Sequence, residues 1–216
     1  MATAVANSSG FKVEVTDRGL GRNLPQRLGK ALWLPMLVMA VMAFPVGVIL
    51  GAIRADAIAT GGSETTIAAL GHAIPAVNFI GFASVFAAIT FAIARILGEF
   101  RVGGGRVQEA THSKVKTLKM PATAKAMIVG MMMAMMAIVA AVVLHFVAAS
   151  AIAGGSTYAL NHSEEWSFWL EGARRAAIGL YLLSITLGLA SIVEVVRFQA
   201  IRIRELPGET GTVRAA

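Results

Sequence analysis

Four histidines, in a chain without cysteine, are the side chains here best suited to hold a metal ion or to move a proton near neutral pH. His72, His145 and His162 lie in or beside long uncharged stretches, whereas His112 lies among basic residues and reads as solvated. Neutral imidazole ligates haem iron, copper and zinc, and a pair contributed by different helices is one way a helical bundle holds such a centre. His145 is the deepest of the three, inside the uncharged run 126–153, and polar groups at membrane depth are costly and usually functional. Asp56, Glu64, Glu164 and Glu165 fall on the same predicted side and are placed to complete or orient a site. The spacing matches no tight motif such as HExxH. The histidines therefore point to a haem b, copper or zinc site assembled across helices.

Other candidates carry less chemistry. The methionines of the third stretch, Met127, Met131, Met132, Met133, Met135 and Met136, suggest thioether ligands for Cu(I). Neighbours on a helix are about 100° apart, so three in a row cannot face one point. Flexible apolar packing is the better reading of this stripe. Arg95 and Glu194 fall near one end of their spans, and a structural ion pair between them is expected. The run Gly103–Gly104–Gly105–Arg106 lacks the Lys-Ser/Thr of a phosphate loop and reads as a hinge. No Ser/His/Asp set or paired carboxylates appear on a rigid scaffold, so the chain is expected to have no catalytic activity of its own.

The elements that position these residues are set by hydropathy. The chain is 56% apolar and 14% charged, against about 25% charged in ordinary soluble domains. A helix of roughly 20 apolar residues spans a bilayer core of about 30 Å, and hydrocarbon demands that backbone polar groups be satisfied internally. Four such spans are predicted, at about 31–53, 71–97, 126–153 and 172–196, within a membrane domain of 31–206. A tail of 1–30 precedes it and one of 207–216 follows. The N-terminal tail is expected to be loose, although Phe11–Val15 alternates like a strand. Its lack of an apolar core ahead of a small-residue site makes the first span the expected insertion signal. A kink is expected at Pro45, a basic loop at 99–124, a polar aromatic loop at 154–171, and a helix end at Pro207.

The charges orient these spans. The first 30 residues, the middle loop counted through Lys125, and the stretch from Arg197 to the C-terminal end together hold 15 Lys/Arg, whereas the other two connections hold Arg54, Arg174 and Arg175. By the positive-inside rule both termini are cytoplasmic, with Trp166 and Trp169 at the outer interface. The formal net charge of +7 is thus a topology signal; no basic face with base-reading residues accompanies it, and nucleic acid is not an expected partner.

A shift of 94 residues places Leu37–Gly61 over Met131–Gly155, with Ala57-Ile-Ala59 over Ala151-Ile-Ala153 and Gly61 over Gly155. A small change of register sets His72 over His162. Two hairpins in a parallel repeat are expected.

Small four-span subunits with histidines near one face include the b-haem anchors of oxidoreductases, which this chain resembles in that general plan only. No motif identifies a family. The expected protein is all-α and integral to the cell membrane. Its four transmembrane helices form two repeated hairpins, and it acts as a non-catalytic subunit or partner in a larger membrane assembly. Small residues such as Gly130, Ala134, Ala137, Ala141, Gly179 and Gly188 would let helices approach closely. The alternatives are a haem or metal-binding redox protein using the outer histidines, and a small transporter or channel.

Overall fold

Four long helices carry the chain: α1 (Leu24–Ala59), α2 (Glu64–Ala110), α3 (Ala122–Ala153) and α5 (Ser163–Arg214). A short α4 (Thr157–Asn161) precedes α5, and three strands, β1 (Ala4–Ala6), β2 (Lys12–Val15) and β3 (Lys116–Leu118), complete the set. The structure is a computed structural model and describes residues 4–6, 11–15 and 20–214. All four long helices have the length and apolar character to cross a membrane, which makes this a multi-pass membrane protein.

Side-chain size, more than polarity, decides which way these helices face. On α3 the buried positions include Ala134, Ile138, Ala141, His145, Ala148 and Ile152, three or four residues apart. Met132, Met136, Val139, Val143 and Val147 are exposed. A helix apolar on all sides packs through its small residues and turns its large ones outward, as expected where lipid is the solvent.

The helix ends are capped. At the start of α1, Gln26 N–H donates to Asn23 Oδ1 (3.3 Å) and Asn23 N–H donates to Gln26 Oε1 (3.1 Å), a reciprocal capping box. α1 and α3 finish alike. Gly62 N–H donates to Ala57 O (2.7 Å) and Gly61 N–H to Ile58 O (3.5 Å), as Ser156 N–H does to Ala151 O (3.1 Å) and Gly155 N–H to Ile152 O (3.0 Å). Gly61 and Gly155 have φ of +70° and +84°, the left-handed position this cap requires and glycine adopts without strain.

The helices overrun the predicted spans. Where the sequence suggests a basic loop and a hinge, α2 continues through Gly103–Gly105 to Ala110. Two of these glycines serve packing instead of a turn: a Cβ on Gly104 would strike Gln199, and one on Gly105 would strike Leu20. The expected outer loop at 154–171 folds largely into α4 and the start of α5. α5 passes Pro207 instead of ending there. Arg202 hydrogen-bonds Glu205 before the proline and Glu209 after it, which holds the helical spacing across the break. The N-terminal stretch expected to be loose contains β2, paired antiparallel with β1 (Val5 opposite Val13) and β3 (Val13 opposite Leu118). Within α1, Pro35 and Pro45 are both accommodated without ending the helix.

The chain divides into two compact units. One comprises the described residues up to Trp33 with Thr90–Ile128 and those from Ile185 onward; the other comprises Leu34–Ile89 and Val129–Ser184. The first unit contains both described ends of the chain and the sheet. Its polar heart is Arg202, 1% exposed, which donates to Gln108 Oε1 (3.3 and 3.2 Å) and to Glu209 (3.0 and 3.2 Å). Lys116 Nζ also reaches Glu209 at 2.8 Å, so α2, β3 and α5 share one network. Hydrogen bonds from Arg202 hold the Glu209 carboxyl down at about 2 against burial, which pushes the other way, and Lys116 adds to the depression. An acid with a depressed folded pKa stabilises the fold above its unfolded value of 4.5, and that contribution is lost as pH falls towards 2. Thermal melts of wild type and Glu209→Gln should therefore differ by a constant gap at neutral pH, and the gap should close as pH falls through that window.

In the second unit Ala83, Ala134, Ile138, Ala177 and Tyr181 form the buried core. Phe86 stacks on Tyr181 with ring centroids 5.5 Å apart, and the Tyr181 hydroxyl donates to Met135 Sδ at 3.4 Å. α2, α3 and α5 meet there.

Candidate functional site

The buried stripes of α2 and α3 in the second unit each carry a histidine. His72 shares its α2 face with Ala76, Phe79 and Ala83, all buried, and His145 follows Ala134, Ile138 and Ala141 on α3. Turned inward, the imidazoles meet with Nδ1 to Nδ1 at 3.2 Å, ring centroids 5.4 Å apart and planes tilted by 51°. They are 1% and 2% exposed, and the Nε2 atom of each is buried without a hydrogen-bond partner.

That geometry limits the chemistry. Without a metal, one Nδ1 must donate and the other accept. The first ring then leaves an Nε2 lone pair without a donor, and the second an Nε2–H without an acceptor. Each unpartnered buried group costs about 1–3 kcal/mol. Ligation of a metal through both Nδ1 atoms leaves both Nε2–H groups equally unpartnered, so it is the Nδ1 separation that points to a metal. The same 3.2 Å suits two nitrogens on one ion. Metal–nitrogen bonds of about 2.0–2.1 Å at a tetrahedral angle set ligand nitrogens about 3.3 Å apart. A bis-histidine haem instead places iron and macrocycle between the ligating nitrogens, and rings in direct Nδ1 contact leave no such gap.

The surroundings are polar on one side. An open cleft of about 820 Å³ reaches His72 and is lined by Arg54, Glu64, Ser163, Glu164 and Glu171 among others. Glu171 and Arg174 of α5 form an ion pair and act electrostatically on His145. The Arg174 guanidinium lies over the Phe79 ring, 4.2 Å from its centroid.

The other expected residues disperse. His162 caps α4, donates to Tyr158 O (2.9 Å) and lies beside the Tyr158 and Trp166 rings. His112 is exposed in the connection after α2, at φ +55°. Among the described residues, no group of three or more His, Cys, Asp or Glu side chains is arranged to hold a metal ion. The methionines also diverge, with Met135 on Tyr181 and Met132 and Met136 exposed. The ion pair expected between Arg95 and Glu194 is not formed. Arg95 lies over Trp33, 5.5 Å from the ring centroid, and Glu194 accepts from Thr123 Oγ1 at 3.2 Å. Each charge finds a nearer aromatic or hydroxyl partner, which apolar spacing does not reveal.

Sequence reasoning missed the Arg202 network and the Glu171–Arg174 pair. Their signals were present: Glu205 and Glu209 follow Arg202 by three and seven residues, and Arg174 and Arg175 follow Glu171 by three and four.

Fold and site together define an α-helical multi-pass membrane protein with a buried histidine pair contributed by two helices. No family model matches the chain, and neither a curated protein nor a solved structure matches it.

Proposed function

We propose that this protein is a small, non-catalytic membrane subunit that holds a copper or zinc ion at the His72–His145 pair. The observation that carries this reading is the 3.2 Å separation of two buried Nδ1 atoms on different helices. Imidazole suits both ions. Two protein ligands leave a tetrahedral ion incomplete, so the remaining positions fall to water, to a group entering through the cleft, or to a partner subunit. An incomplete centre of this kind is what links the metal reading to membership of a larger membrane assembly.

Both termini are assigned to the cytoplasm and the histidine pair to the outer half of the cell membrane. The support is the concentration of Lys/Arg in the tails and middle connection. The matched caps of α1 and α3, 94 residues apart at Gly61 and Gly155, support a parallel repeat of hairpins. His72 and His162 correspond in that repeat yet differ in setting, one in the buried pair and the other among aromatic rings.

The test is metal analysis with a visible spectrum on protein purified gently from membranes and supplied with copper or zinc. About one ion per chain is expected for wild type and for His162→Ala, and almost none for His72→Ala or His145→Ala. A metal-free wild type, or full metal retention in His145→Ala, overturns the proposal. A Soret band lost in His145→Ala would replace the metal ion with haem.

A further inference from the structure

The first unit treats two of its arginines very differently. Arg202 is surrounded by acceptors from Gln108, Glu205 and Glu209. The Nε of Arg101 is buried without a hydrogen-bond partner, and its guanidinium takes part in none of the ion pairs of the described residues. Arg101 is half-buried: its Nε lacks an acceptor inside the fold, which is costly, while the rest of the guanidinium is open to a partner from outside the chain, for which an anion is the natural choice.

The position of Arg101 indicates which anion. It lies one turn beyond Leu97, where the apolar run of α2 gives way to Glu99 and Arg101, at the depth where a spanning helix meets lipid headgroups. A cavity of about 80 Å³ opens beside it, lined by polar Gln26 and by apolar Ala94, Met127, Ile128 and Val195 among others. From Arg101 to Ala94 is seven residues of α2, about 10 Å along the helix axis. The cavity thus runs from a cation at headgroup depth to an apolar end within the span, the polarity order of a bilayer lipid. A second cleft in the same unit is lined in part by Arg27, Lys30 and Arg106 beside the Arg22–Glu99 ion pair, and its excess of cations adds positive potential that concentrates anionic lipid.

We infer that this cavity seats an anionic phospholipid at the protein–lipid boundary, with the phosphate on the Arg101 guanidinium. Only the first methylenes of an acyl chain enter beside Ala94, Met127 and Ile128, and the rest of the chain lies in the bilayer. Arginine suits phosphate because its planar fork presents parallel N–H donors. A zwitterionic lipid offers the same chain without the net negative charge, and inorganic phosphate offers the charge without the chain.

The test is a thermal-shift titration of delipidated full-length protein in mild detergent, with phosphatidylglycerol, phosphatidylcholine, oleate and inorganic phosphate as separate probes. Phosphatidylglycerol should raise the melting midpoint with at least about tenfold higher apparent affinity than phosphatidylcholine, the difference expected of one charge-assisted contact. Arg101→Gln should bring phosphatidylglycerol down to the phosphatidylcholine response, and Ile128→Phe should weaken both by narrowing the apolar end. Should Arg101→Gln fail to fold, Arg101→Lys reads the same titration, with partial loss expected because charge is kept and the fork is not. Equal responses to the two phospholipids, or an undiminished phosphatidylglycerol response in the Arg101 variants, overturn the site. Stabilisation by oleate or inorganic phosphate that matches phosphatidylglycerol overturns the phospholipid assignment.

Discussion

Arg202→Met is expected to destabilise the first unit by about 3 kcal/mol, and the loss should appear as a lower melting midpoint and easier proteolysis of the end of α5. Removing one partner from a buried ionic network typically costs about 3–5 kcal/mol, because the charges left behind lose compensation. Here the lower end of that range applies, since Glu205 and Glu209 are each 31% exposed and regain some water. Methionine fills much of the volume of the arginine stem, so the effect reports charge more than packing. Arg202→Lys should fall between the two, keeping one charge but losing the fork that reaches Gln108, Glu205 and Glu209. The decisive comparison is the triple variant Arg202→Met, Glu205→Gln, Glu209→Gln. It should recover much of the lost stability, because neutral amides at these positions no longer leave two carboxylates facing an apolar side chain. A triple variant no more stable than Arg202→Met would show that the network contributes through packing, not electrostatics.

That network also shows where the sequence was legible. The four apolar helices were readable because a bilayer leaves few alternatives for a long uncharged run. The helix extensions beyond that run were not, because outside hydrocarbon the same polar sequence suits a loop or a helix until tertiary contacts decide. Gly103–Gly105 read as a hinge by type, yet Gln199 and Leu20 approach Gly104 and Gly105 closely enough to make them contact positions. Pro207 read as a stop, yet the Arg202–Glu209 hydrogen bonds bridge it. β3 has only three residues, too few for alternation to register. At the candidate site, residue type made His72 and His145 visible, but their convergence depends on the rotation of two helices that are apolar on every side. The rotation followed the small residues, through Ala134, Ala141 and Ala148 on α3 and Ala76 and Ala83 on α2. A reading of side-chain size along each span would have set both histidines on inward faces.

The same dependence on small residues makes Gly29→Ala the second large effect. A Cβ at Gly29 would lie 2.6 Å from Phe91 O and 2.9 Å from Arg95 N, both backbone atoms of α2. Neither can swing aside, so α1 and α2 must move apart along this contact. The shift would loosen Arg95 from the Trp33 ring and Gln26 from the face of Gly98, each placed by the same approach. Overpacking of this kind costs about 1–3 kcal/mol, and the upper part of that range is expected because the obstacle is backbone. Alanine offsets only part of it, since its helix propensity exceeds that of glycine by about 1 kcal/mol. Gly51 on the same helix supplies the control: apart from the local backbone of α1, nothing lies within 4 Å of a Cβ built there. Gly51→Ala should therefore stabilise by about 0.5–1 kcal/mol, so the two substitutions should move the melting midpoint in opposite directions. If Gly29→Ala proves as benign as Gly51→Ala, the close approach of α1 and α2 at Phe91 is not what holds this part of the first unit together. The Arg95–Trp33 contact would then have to be explained without it.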